Sequence, residues 1–215
     1  MIENSDDRLI APASTIFILF LSLLIVIPLA TVRMASSLVS PAVQIISLED
    51  SGDRFRGQWK VGEIEYIIEE GADEARPSGT FSVTLKIPGG ITISGERARR
   101  GYIEKVIFLD PDGDGTSNAF ICIRSADSSG YLQMLQYDFS IDGISTTSTW
   151  SNMTEIPDHL SVGYMGRDKI ERQSEMLVRS FPLYLDGENS TEPSGETRSL
   201  IWDFHEVRWR PDPRN

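Results

Sequence analysis

Cysteine is nearly missing from this chain of 215 residues: Cys122 is the only one. That excludes an internal disulfide, and with it any scaffold stapled by such bonds. Histidine is almost as scarce, with His159 and His205 far apart, and one cysteine with two histidines is a poor donor set for a structural zinc. There is no G-x-S-x-G elbow and no H-E-x-x-H pair, so two common hydrolase signatures are absent. Carboxylates are plentiful, but nothing singles out a glycosidase pair, and the chain reads as a non-enzyme. Basic residues are in deficit, 20 Lys and Arg against 32 Asp and Glu, for a formal net charge of -12. That balance argues against nucleic acid as a partner, because phosphates demand Lys and Arg. No internal repeat is visible, which counts against a propeller or solenoid.

Long apolar runs are lacking too, with one exception. No residue between Arg8 and Arg33 is charged, and Thr15–Ile27 (TIFILFLSLLIVI) is almost unbroken. Such a run is long enough to cross a bilayer core as a helix. A cleaved secretory signal is the alternative, yet Glu3, Asp6 and Asp7 make its leading region acidic, and the small residues Ala35-Ser36-Ser37 come late. The flanks therefore predict a short N-terminal tail over 1–8, a retained transmembrane anchor over 9–32, and a linker over 33–41 that ends at a proline. Residues 34–215 carry a charge of -11, so the part beyond the anchor is acidic by itself.

What remains is a succession of short strand-like runs. Thr80–Ile87 (TFSVTLKI) alternates cleanly, with Phe81, Val83, Leu85 and Ile87 on one face. Glu63–Glu69, Ile103–Leu109, Ala119–Ile123, Leu132–Phe139, Met176–Leu185 and Ser199–Trp209 are of the same kind. Only Glu155–Leu160 and Asp168–Glu175 look helical. A hydrophobic content of 40% supports a real core. The pattern predicts an all-β fold over 42–210, an antiparallel β-sandwich or barrel-like domain preceded by one N-terminal transmembrane helix. Cys122, inside an apolar run, reads as a small core residue. His205 reads as a packing or surface residue of a Trp/Phe-rich strand, Ile201–Trp209.

Two connections carry chemistry. Asp110, Asp112 and Asp114, with Gly115, match the first half of a calcium loop, D-x-D-x-D-G. The second half fails, because the twelfth position is Ile121, where a bidentate Glu is wanted, and the ninth is Asn118. A glycine-assisted acidic turn without metal is expected. The second connection, Arg124-Ser-Ala-Asp-Ser-Ser-Gly-Tyr131, gathers hydroxyls and one aromatic at a loop tip, a composition suited to gripping a partner.

The order of these blocks is informative. Ile103-Glu-Lys-Val106, an apolar run, Asp110–Gly115, a second apolar run, Ile123-Arg-Ser-Ala126 and then Ser128–Leu132 (S-x-G-Y-L) resemble the periplasmic inhibitors of invertebrate-type (i-type) lysozyme from Gram-negative bacteria. The upstream stretch Glu70–Val83, acidic and glycine-containing before an alternating strand, extends the likeness over residues 69–139. The resemblance implies an inhibitor core at about 60–150 with a C-terminal β extension over 151–210. It implies a protruding loop, Ser128, Ser129, Gly130 and Tyr131, that enters the lysozyme cleft. Ser128 and Tyr131 keep the family's Ser-Gly-x-Tyr spacing, and Ser129 replaces its glycine, which predicts a change of backbone freedom at the tip. The implied partner is lysozyme, i-type first, with no cofactor and with a homodimer as one admissible assembly. The implied place is the periplasmic side of the inner membrane, held by the N-terminal helix, or the free periplasm if the segment is cleaved. The alternative is a membrane-anchored envelope binding or adhesion module with the same fold and another partner.

Overall fold

The structure, a computed structural model, describes residues 41–50, 54–74, 77–142, 145–184 and 192–214. The expected tail, the anchor over 9–32 and the linker up to residue 40 lie outside the described residues. Among those described, no helix is long and apolar enough to cross a membrane.

Thirteen strands and one helical turn follow in order among the described residues. β1 (Val43–Asp50), β2 (Phe55–Val61), β3 (Ile64–Glu70), β4 (Ser78–Ile87) and β5 (Ile91–Arg100) form the first sheet. β6 (Tyr102–Leu109), β7 (Asn118–Arg124), β8 (Leu132–Asp142) and β9 (Ser145–Asn152) form the second. After the turn α1 (Asp158–Ser161) come β10 (Lys169–Gln173), β11 (Met176–Pro182), β12 (Thr197–Asp203) and β13 (Arg208–Pro211), the third. Each strand pairs antiparallel with its sequence neighbours, so every sheet is an open meander and none closes into a barrel.

Burial explains the stacking. Alternation in β4 sends Phe81, Val83, Leu85 and Ile87 into one core, where they meet Tyr66 and Ile68 from β3 and Ala119, Ile121 and Ile123 from β7. The intervening residues of β7, Phe120 and Cys122, point into a second core with Leu109, Leu132 and Met134. There they meet Ile170, Leu177, Phe181, Leu200, Trp202 and Trp209 of the third sheet. β7 is thus buried on both faces, which is why it is a continuous apolar run rather than an alternating one. The domain has three β layers, with β6–β9 in the middle. Each core is close-packed with aromatic pairs, for example Tyr66 on Phe108 at 4.8 Å and Trp202 on Trp209 at 5.1 Å between ring centroids.

Three local expectations are corrected. Asp168–Glu175 is not helical: Lys169–Gln173 is β10, and Ser174, at φ 55°, turns the chain into β11. Its Glu, Arg and Gln favour helix in isolation, but pairing with β11 overrides that weak preference. Within Glu155–Leu160 only one turn, Asp158–Ser161, is helical. Ser199–Trp209 is two strands rather than one. Asp203 Oδ1 accepts the backbone N–H groups of His205 and Glu206 at 2.9 and 3.0 Å, a side-chain-stabilised turn that places His205 in the connection, exposed.

At one edge, β1 overhangs. Its bulge at Ile46 leaves Val43, Ile45 and Leu48 opposite Val61, Trp59 and Gly57, yet these three residues are 41–61% exposed.

Candidate partner-binding loop

The connection between β7 and β8 begins at Arg124 and ends at Tyr131. Backbone pairing closes it, Ser125 N–H donating to Tyr131 O at 2.8 Å. Asp127 organises its interior: its Oδ1 accepts from Ser129 N–H at 3.0 Å and from the Ser129 hydroxyl, and its carbonyl accepts from Gly130 N–H at 3.3 Å. The Ser129 hydroxyl, followed by that of Ser125, holds the Asp127 carboxyl below its ordinary range. Gly130 takes the left-handed conformation, φ 59°, that the tip requires, and Ser129 does not. The side chain at 129 therefore sits without backbone strain, and its hydroxyl braces the loop from inside.

Ser128 is exposed, and its hydroxyl makes no hydrogen bond among the described residues. Tyr131 is 42% exposed, with its ring edge-on to Tyr164 at 5.4 Å between centroids.

The bracing behind the tip comes from a segment that sequence reasoning did not connect with it, Gly163–Lys169. Arg124 spans the two: its Nη1 donates to Gly130 O at 2.8 Å, its Nη2 to Asp168 O at 2.7 Å, and its Nε to Glu104 Oε2 at 2.5 Å. Arg167 N–H donates to Gly130 O at 3.3 Å. Gly166, at φ 84°, lies so close to the loop that a Cβ there would collide with the Ser129 carbonyl oxygen. Glycine is required at that approach.

Beneath lies a buried ionic knot. Asp168 Oδ2 accepts from Leu132 N–H at 3.2 Å, from the Tyr164 hydroxyl at 2.6 Å and from Arg179 Nη2 at 3.1 Å. Asp168 and Arg179 are each 1% exposed. The Arg179 guanidinium also faces the rings of Tyr164 and Trp209 at 5.5 and 5.6 Å and donates to Thr154 O at 2.7 Å. Burial, with the Asp168 charge, pushes the Tyr164 phenol upward, so it stays a neutral donor. Such a knot contributes little net stability against an apolar alternative, but it fixes one arrangement of the chains it ties. Tyr164 lies 4 residues from Asp168 and Arg179 lies 11, across the β10–β11 hairpin, whereas Leu132 is 36 residues away and meets it only because the third sheet packs against the middle one. The available sequence signal was Arg179, a lone charge in the apolar run Leu177–Phe181; Asp168, between Arg167 and Lys169, gave none.

The acidic turn lies at the opposite end of β7. One ligand atom from each of Asp110, Asp112 and Asp114 falls within 4.8 Å of the others. Two of the carboxylates are engaged by the turn itself: Asp110 accepts from Gly113 and Gly115 N–H, both at 2.9 Å, and Asp114 Oδ1 from Thr116 N–H at 2.7 Å. Burial, then the Asp114 charge, raises the Asp112 carboxyl above its usual range. Asp138 on β8 is raised by burial and by the charges of Asp112 and Asp114.

No family model matches the chain, and no curated protein matches it. Among solved structures it matches PliI-Ah, the periplasmic lysozyme inhibitor of I-type lysozyme from Aeromonas hydrophyla. The match has 18% sequence identity and a TM-score of 0.36, and it covers 52% of this chain and 88% of that one.

Proposed function

We propose that this domain binds a lysozyme, i-type first, and blocks its active-site cleft with the loop Ser128–Tyr131, with no chemistry of its own. The observation that carries this reading is the pairing of an exposed Ser128 and Tyr131, at the family's spacing, on a loop held from behind. A lysozyme cleft holds two carboxyl groups flanking the scissile bond. The Ser128 hydroxyl donates to one of them, and the Tyr131 ring covers the cleft floor as an aromatic anchor. A loop already held in one shape loses little freedom on docking, which favours affinity. Residues 9–32 anchor the domain to the inner membrane on its periplasmic side, where a lysozyme entering the envelope is met.

The test is inhibition and pull-down with i-type, chicken-type and goose-type lysozymes. Stoichiometric inhibition of at least the i-type enzyme is expected. Absence of binding to all three overturns the reading and leaves a different envelope partner as the target.

A further inference from the structure

We propose that the surface that grips the partner is composite: Arg167 and Lys169, from the segment leading into the third sheet, flank the loop tip and meet carboxylates at the rim of the partner's cleft. This rests on the reading of Ser128–Tyr131 as a cleft-binding loop, and it adds residues that lie outside every block resembling the inhibitor family.

Position is the first ground. Arg167 N–H bonds to Gly130 O, one residue before Tyr131, and Gly166 lies against Ser129 O. Whatever seats the tip therefore also meets the surface next to residue 167. Asp168 turns inward to the buried knot, while Arg167 and Lys169 on either side of it are exposed.

Charge is the second ground. In this acidic chain most arginines are neutralised locally. Arg54 and Arg56 pair with Glu69, Arg99 with Glu70, Arg124 with Glu104, Arg172 with Glu175, Arg179 with Asp168, and Arg210 with Asp203. The side chains of Arg167 and Lys169 have no hydrogen bond or ion pair among the described residues. The acid of the loop, Asp127, stays charged but takes its hydrogen bonds from Ser129 and not from either cation. Two unpaired cations beside the tip make a local positive rim on a domain whose charge is otherwise negative. Such a rim complements carboxylates rather than phosphate-free apolar surface.

Shape is the third. Arg167 and Lys169 line a groove of about 320 Å³ together with Ser180, Phe181, Pro182 and Thr197. An acidic side chain from the cleft rim enters there with its stem on Pro182 and its carboxylate on the cations. Arg167 also holds a left-handed backbone, φ 60°, a conformation that glycine adopts more readily.

The experiment measures the affinity of the full chain for i-type lysozyme at several salt concentrations. The variants are Arg167→Gly, which suits the left-handed backbone and removes the cation, Lys169→Gln, the double variant, and Arg167→Glu. Neutralising either residue is expected to weaken binding about three- to tenfold. The double variant should show a shallower salt dependence, and Arg167→Glu should bind more weakly than Arg167→Gly. Melting temperatures should match the parent or, for Arg167→Gly, exceed it. If the double variant binds within twofold of the parent with the same salt dependence, while Tyr131→Ala has lost binding, the composite surface is wrong and the loop reading stands. If the parent binds no lysozyme, both are overturned.

Discussion

Ser128 and Tyr131 divide the work of the loop between a donor and a face, and each is separable by substitution. Tyr131→Ala is expected to weaken lysozyme binding by about 2 kcal/mol or more, the scale of an aromatic hot spot. Ser128→Ala should cost roughly 1.5–3 kcal/mol if its hydroxyl bonds an ionised carboxylate. Titration calorimetry reads both, and neither variant should shift the unfolding midpoint, because neither side chain reaches the core. Asp168→Ala behaves differently. It leaves the Arg179 charge buried without its carboxylate and should destabilise the fold by about 3–5 kcal/mol in urea unfolding. The tip was legible in the sequence because turn residues between two apolar runs announce a surface loop. Its brace was not, since Arg124 and Leu132 meet Asp168 only through contacts 44 and 36 residues apart in sequence.

Among the elements, legibility followed burial. β7 and β4 declared themselves through a continuous and an alternating apolar pattern, and both lie where those patterns place them. β9, STTSTWSN, and the outer β5 are polar along most of their length, and β10 offers Ile170 alone to the core. Strands so dependent on their neighbours leave little periodic signal of their own. The turn between β6 and β7 gives a prediction at this scale. Raised carboxyls at Asp112 and Asp138 mean that the folded state binds protons more readily than the unfolded chain. Their contribution to stability therefore improves as pH falls through the raised values and is unfavourable at neutral pH. Asp138→Asn should melt at a higher temperature than the parent at pH 7, with the difference fading on acidification. Millimolar calcium should leave the parent's melting temperature unchanged. A clear rise, abolished in Asp112→Ala, would mean that the turn holds the ion.

On the scale of the whole molecule, the third sheet is structural as well as contributory to the loop. A chain ending at Trp150 would expose Phe120, Cys122, Leu132 and Met134 on the uncovered face of the middle sheet. Such a truncation should be insoluble or associate on gel filtration, even though the first core is intact in it. The three-layer order was not legible beforehand, because the apolar content of β11 and β12 says that they are buried without saying against what. It also gives the molecule an internal clock. Cys122 sits between the middle and outer layers, fully buried, with its thiol pushed up to about 12 by that burial, so no reagent reaches a thiolate while the layers are shut. The rate at which this lone thiol is alkylated under native conditions then counts how often the outer sheet lifts away. Comparing that rate with and without a bound lysozyme would reveal whether gripping at the tip and along the edge of the third sheet slows the lifting of that layer.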